Sequence, residues 1–337
     1  MINLRLWILL TTTVYQAIAV LFENRTPPPG RRIDIGGYKL HLYSSSSLHA
    51  TAPQSLEEPR NSAPTIILDH SLGGIEGYLL IDELSKLAPA YAYDRAGYGW
   101  SDVSPRRRTS DRIVDELDAL LTRSNVPPPY LLIGNSFGSY NMRLYAHRFP
   151  EKVMGLVLTD GLHESEMLAM PWPLMLVQYF FISGFLMSIL GSTLGIVRVL
   201  KTFGLFHLIK PSLKRYPPRV MKPMMRSFCR PKHWMTMAQE LWHLSDSGRQ
   251  IQDIQDLGDL PLVSIKARGF FLPSPIMSLL PLKMMDRLRD GMHERLLQLS
   301  TRSTQLHADL SDPFVWVEQP EMIIKAVEQI LEQARRQ

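Results

Sequence analysis

A single cysteine, Cys229, stands in 337 residues. One thiol excludes an intramolecular disulfide and any zinc site built on cysteine ligands. Charge is sparse as well: Asp, Glu, Lys and Arg make up 20% of the chain and sum to a formal +5. No nucleic-acid-binding module accompanies that mild basicity, so nucleic acid is set aside as a partner. There is no fingerprint of a nucleotide, metal or flavin site, and the expectation is no cofactor. No internal repeat occurs, and nothing in the sequence specifies an oligomeric state. Glycine and proline, 20 and 25, are too few for a disordered chain. The longest gap in charge runs from Met167 to Val197, which holds no Asp, Glu, Lys or Arg.

What is present is apolar. Hydrophobic residues make 45% of the chain, enough for one large core. Residues 1–26 form an N-terminal hydrophobic segment in which Leu6 to Phe22 is uncharged, with Arg5 before it and Glu23 after it. That length lies near the lower limit for a bilayer span. Ala17-Ile18-Ala19 also reads as a signal-cleavage site, and Thr11 to Thr13 weaken a span, so a helix packed on the domain is the third reading. Anchor, signal and packed helix are therefore three open readings, with membrane association favoured and a cytoplasmic protein as the alternative. A run of basic residues, Lys201, Lys210, Lys214, Arg215, Arg219, Lys222, Arg226, Arg230 and Lys232, reads as a solvated helical surface or as attraction to anionic lipid.

Beyond Pro27 to Pro29 the pattern changes. Arg31–Ile35 and Tyr38–Tyr43 alternate in polarity around Gly36-Gly37, the mark of a hairpin, and the Ser/Pro-rich stretch from Ser44 to Ala63 reads as a surface loop. Short apolar runs at Thr65–Leu68, Tyr91–Tyr93, Tyr130–Ile133 and Val153–Leu158 predict buried strands. Between them Ile113, Val114, Leu117, Leu120 and Leu121 share one helical face, with Thr109 or Ser110 as cap. Strand and helix alternate, which predicts a mainly parallel sheet covered on both faces. From 161 to 258 the alternation gives way to a Met-, Phe-, Leu- and Trp-rich stretch that reads as helical. Pro261–Lys266 and Gln305–Leu310 then resume the strands, and a last helix begins near Pro320. The parse is a first core part over 31–160, a helical insertion over 161–258 between strands 6 and 7, and a second core part over 259–337.

Gly134-Asn135-Ser136-Phe137-Gly138 lies between a predicted strand and a predicted helix. In that context a serine is thrust from a tight turn above the sheet, next to the free amide groups of the helix start. With this motif the chain resembles the α/β-hydrolase superfamily, of the serine esterase and lipase type, from about Arg31 to the C-terminus. Asp69-His70-Ser71-Leu72-Gly73-Gly74 is similar to the family's oxyanion loop, with Ser71 where glycine is commoner. Asp94-Arg95-Ala96-Gly97-Tyr98-Gly99-Trp100-Ser101-Asp102 is similar to its D-R-x-G-x-G-x-S turn, which is read as structural. The resemblance implies a nucleophile at Ser136 and oxyanion donors in the amides of Leu72 and Phe137. His70 is read as a turn residue.

By the same resemblance the acid follows one of two strands. Ala267 to Phe271 offers no carboxylate, whereas Thr159-Asp160-Gly161 does, so Asp160 is the candidate acid. The family's closing Gly-His-Phe motif aligns with Asp312-Pro313-Phe314, which puts Pro313 where the catalytic histidine belongs. Proline has no exchangeable proton and cannot act as a base. His307 and His163 are the candidate substitutes. The uncharged helical stretch, as a cap, implies a small hydrophobic acyl substrate and a contact with a membrane surface. Two functions follow: a serine hydrolase working through a Ser136 acyl-enzyme with a departed base, or a weakly active or inactive relative that binds a ligand or a membrane.

Overall fold

The computed structural model describes residues 2–49, 64–204, 216, 218–269 and 282–335. The chain opens with helix α1 (Ile2–Arg25), then pairs β1 (Arg31–Asp34) with β2 (Lys39–Ser44) as an antiparallel hairpin. Gly36 and Gly37 turn the hairpin at φ of 118° and 100°, and Asp34 Oδ1 accepts both of their amides at 2.8 and 2.9 Å. A short α2 (Ser45–His49) follows directly on β2. The rest of the loop expected there, 50–63, lies outside the described residues.

Next come β3 (Thr65–Asp69), α3 (Gly77–Leu84), β4 (Ala90–Asp94), α4 (Ser110–Arg123), β5 (Tyr130–Asn135), α5 (Gly138–Arg148) and β6 (Val153–Thr159). Helices α6 (Glu164–Leu168), α7 (Trp172–Thr193), α8 (Ile196–Thr202), α9 (Pro218–Phe228), α10 (Pro231–Trp242) and α11 (Leu244–Ile251) separate β6 from β7 (Leu262–Ala267). The chain ends with α12 (Leu282–Gln298), β8 (Ser303–Ala308), α13 (Val315–Glu318) and α14 (Pro320–Arg335). The eight strands form one sheet in the order β1-β2-β4-β3-β5-β6-β7-β8, parallel from β4 to β8.

The central strands β3 to β7 are mostly apolar and buried because both faces are covered, whereas edge strands β1 and β8 are largely polar. Ile67, Leu132 and Leu158 join α4 and α5 residues such as Leu117 and Tyr140 on one face. Ile66, Ile133 and Val157 join Leu80 of α3 and Val327 of α14 on the other. The predicted inner face of α4 is fully buried. Glu116 is buried with it, where it accepts both Arg108 Nη1 at 2.8 Å and the Tyr38 hydroxyl at 2.6 Å. Neither Thr109 nor Ser110 caps α4 through its side chain. Ser247 Oγ and Gln250 Oε1 of α11 instead accept the Ser110 and Asp111 amides at 3.0 and 2.9 Å, so the helix start is satisfied from the inserted segment.

Two helices are long and apolar enough to cross a membrane by length and composition, Leu4–Arg25 of α1 and Trp172–Thr193 of α7. Only 6% and 11% of their most apolar windows are fully buried. Helix α1 meets the protein along Thr12, Gln16 and Glu23. Gln16 donates to Cys229 O at 2.7 Å and accepts from Arg198 Nε at 2.5 Å, while Glu23 accepts from Arg198 and Arg230. Gly195 lets α8 approach α1, since a Cβ there would stand 2.2 Å from Thr12 O.

Over its described part the basic run is only partly solvated: Lys222 is exposed and Lys201 half-buried, while three members are engaged by the protein. Arg226 lies 4.5 Å over the Trp100 ring, Arg230 pairs with Glu23, and Lys232 Nζ donates to Ser101 O at 2.6 Å. Burial, with Arg226 and Arg230 adding, pushes Lys232 down to about 8. Lys210, Lys214 and Arg215 lie outside the described residues, as does the side chain of Arg219.

Candidate active site

Parallel strands β3, β5 and β6 end together, at the edge where open parallel sheets bind ligands. Asp69 pairs with Gly134, and Asn135 with Thr159, so Ser136 and Asp160 are the next residues out on adjacent strands. Ser136 holds φ at +50°, a left-handed conformation uncommon for residues with a Cβ. Its amide donates to Thr159 O at 2.9 Å, and its carbonyl accepts from Ser139 N at 2.9 Å, which locks the turn. The motif's two outer glycines are there for close approach. A Cβ on Gly134 would meet Gly138 O at 2.7 Å, and one on Gly138 would meet Asp69 O and His70 O at 2.7 Å. The serine itself is half-buried rather than sunk in the core.

The loop after β3 is fixed by buried polar groups. Arg95 Nη1 donates to Asp69 Oδ1 at 2.8 Å and to His70 O at 2.7 Å, and Nη2 donates to Ser71 O at 2.7 Å. The same guanidinium pairs with Glu240 of α10 at 3.0 Å, which ties the inserted helices to this loop. His70 is the turn residue expected: its Nδ1 accepts from Gly77 N at 3.1 Å and its Nε2 contacts Tyr93 O at 2.9 Å. Gly97 and Gly99 hold φ of 96° and 44° in the structural turn that carries Arg95. Leu72 and Phe137 both line the cavity above Ser136. Their backbone N–H groups have no acceptor among the described residues.

Asp160 also adopts a positive φ, +44°, and lines the same cavity. Its Oδ1 accepts from Ala267 N at 3.1 Å and faces His293 Nε2 at 3.4 Å. His293, on α12, is buried, and its Nδ1 contacts Ser264 Oγ at 2.8 Å, so both ring nitrogens are engaged. Sequence reasoning missed this residue because it sought the base only in chain order, after a strand. The available signal was its place on the inner side of an amphipathic helix, beside Met285, Met292 and Leu296. Pro313 is in the cavity wall.

Neither candidate substitute for the base reaches this cavity. His307 is exposed on edge strand β8, paired in register with Lys266. His163 caps α6, its Nδ1 accepting from Ser165 N at 3.3 Å. Burial, with Arg143 and Arg295 adding, pushes it down to about 3, too weak a base for work near neutrality. Neither is among the residues lining the cavity.

The cavity measures about 270 Å³. Met167, Leu174, Phe181, Leu241, Leu244 and Met285 make its walls apolar, and Ser136, Asp160, Gln178 and Arg289 are its polar members. Among the described residues no group of three or more His, Cys, Asp or Glu could hold a metal ion.

A family model described as alpha/beta hydrolase fold matches residues 64–183. The uncharacterized protein YqjL of Bacillus subtilis is 41% identical over 70 residues, 21% of this chain and 28% of that protein. The chain spans less than half the length of each curated relative it matches. Among solved structures, Cfl2 from Burkholderia cenocepacia aligns at a TM-score of 0.62 and 18% identity, over 89% of this chain and 94% of that one. The enol-lactonase from Burkholderia xenovorans LB400 aligns at 0.59 and 14%, over 90% and 100%.

Proposed function

The chain has the α/β-hydrolase fold, and from that premise we propose that it is a slow serine hydrolase of hydrophobic esters, working at a membrane surface. The observation that carries this reading is Ser136 at positive φ beside two unpaired amides in an apolar cavity. In the proposed reaction Ser136 Oγ attacks the acyl carbonyl. The amides of Leu72 and Phe137 receive the oxyanion, and one such donor contributes roughly 2.7–4 kcal/mol in the transition state. Among the described residues no imidazole lines the cavity, so the serine proton passes to Asp160, held by Ala267 N and His293, and from there to the leaving alcohol. Water then attacks the acyl-enzyme, giving its proton to Asp160, which passes it to the departing Ser136 Oγ as the carboxylic acid is released. A carboxylate is a weaker base than an imidazole, and turnover is correspondingly slow.

The helices between β6 and β7 act as the cap in this reading. One face of α7 gives Leu174, Val177, Gln178 and Phe181 to the cavity, while Trp172, Leu176, Phe180 and Met187 stand exposed on the other. Helix α1 is turned inside out for a water-soluble protein: its polar Gln16 and Glu23 face inward, and Leu6, Trp7, Leu10, Ile18 and Phe22 face outward. Such faces suit lipid. The reading supported is a membrane-associated protein that draws its acyl substrate from lipid.

Pro313 in the wall favours a second reading, a ligand-binding protein without turnover. Hydrolysis of p-nitrophenyl esters of increasing chain length by wild type and Ser136→Ala separates the two. The proposal expects slow turnover that rises with acyl length and vanishes in Ser136→Ala. Turnover unchanged in the variant, or none in folded wild type, contradicts it.

A further inference from the structure

The geometry points to Glu76 as a positioning residue that holds the Leu72 and Phe137 amides in place relative to one another. This role rests on the hydrolase reading, in which those two amides receive the oxyanion. They come from separate segments, the loop after β3 and the start of α5, yet both must reach a single oxygen at about 2.7–3.1 Å. One segment therefore has to be fixed against the other.

Glu76 stands just before α3 and is 7% exposed. A single atom of its side chain, Oε1, accepts from both segments. Ser71 Oγ donates to it from the residue before Leu72. Asn135 Nδ2 donates to it at 3.4 Å from the residue before Ser136. A carboxylate can only accept, so the direction of both bonds is set. Its other oxygen, Oε2, stands 3.5 Å from His70 Nδ1 and packs on Gly74, where a Cβ would lie 1.9 Å away. Glycine at 74 thus leaves the room that the carboxylate fills. The tie also gives a use to Ser71, which stands where glycine is commoner in the family: a glycine has no hydroxyl to donate.

The other braces act elsewhere. Arg95 holds the carbonyls of His70 and Ser71 but joins them to Glu240 of α10, not to the serine turn. Asn141 of α5 donates to Asp69 Oδ2 at 2.7 Å, two residues before Ser71, at the foot of the loop. Glu76 is not among the residues lining the cavity, so it acts through the amides and not on the ligand.

Kinetics on p-nitrophenyl decanoate and hydrogen exchange at the Gly74 amide test it, using full-length wild type, Ser71→Ala, Glu76→Ala and Glu76→Gln. The Gly74 amide closes the loop onto Ser71 O at 3.0 Å and so reports on how firmly the loop is held. Ser71→Ala and Glu76→Ala are expected to lower kcat about 10–100-fold, with KM held within about twofold. Glu76→Gln keeps an oxygen for Ser71 and Asn135 and is expected to retain most of the wild-type kcat. Gly74 exchange should quicken about tenfold in the two alanine variants and stay at the wild-type rate in Glu76→Gln. Unchanged kcat in both alanine variants, or a loss confined to KM, overturns the inference, as does a Glu76→Gln that falls as far as Glu76→Ala. Should Glu76→Ala fail to fold, Ser71→Ala and Glu76→Gln still decide. If no folded form hydrolyses the ester, the hydrolase reading falls, and Gly74 exchange alone decides whether Glu76 holds the loop. Ser136-dependent turnover indifferent to Ser71 and Glu76 leaves that reading standing and removes this one.

Discussion

Ser136 and Asp160 hold φ of +50° and +44°, side by side on two strand ends. Non-glycine residues in that region are strained by about 1–3 kcal/mol each, and they persist only where the surroundings over-determine them. Here the surroundings are the amide of Ser136 on Thr159 O, and that of Asp160 on Ile265 O. The residue that departs from this preparation is Pro313, which occupies cavity wall without a titratable group. Restoring an imidazole there should return Asp160 to an orienting role and add general-base assistance, typically worth roughly 10²–10⁴-fold. Pro313→His is therefore expected to raise kcat for a p-nitrophenyl ester by at least ~10-fold. An unchanged kcat in a folded variant would show that Asp160 and Ser136 are not placed to use it.

At the scale of elements, the proposed work at a membrane surface rests on two apolar helices, α1 and α7. Outward substitutions Leu10→Glu in α1 and Met187→Glu in α7 replace exposed side chains, 54% and 69% accessible. Both are expected to lower co-sedimentation with neutral phosphatidylcholine vesicles several-fold while leaving the thermal midpoint unchanged. Full vesicle binding by the double variant would contradict the lipid-facing reading. These helices also show what sequence can and cannot convey. The apolar length of both was legible, because hydrophobicity is a local property. That Gln16 and Glu23 form the inward face of α1 was not, because their partners Cys229, Arg198 and Arg230 lie some two hundred residues away. Separations of 137 and 139 residues likewise hid Ser247 and Gln250, which cap α4 from α11. His293 escaped notice for a related reason: it sits on an ordinary amphipathic helix and acquires meaning only where α12 crosses the cavity. The sheet and the elbow were legible because alternating runs and close-approach glycines constrain their own neighbourhoods.

Taken as a whole, the molecule is a parallel sheet whose strand ends carry a strained serine, under helices that are apolar both toward the cavity and toward the outside. Its polar groups at the site are held from two directions: Arg95 joins the β3 loop to α10, and His293 joins Asp160 to α12. The proposed function, slow chemistry on a ligand delivered from lipid, depends throughout on the Ser136 hydroxyl being reactive. The direct measurement is incubation of the full-length protein in detergent micelles with a fluorophosphonate bearing a long alkyl chain, followed by peptide mass mapping. The account predicts a slowly accumulating adduct on Ser136 and none in Ser136→Ala. An inert Ser136 in protein shown to be folded, or an adduct on another residue, would contradict it.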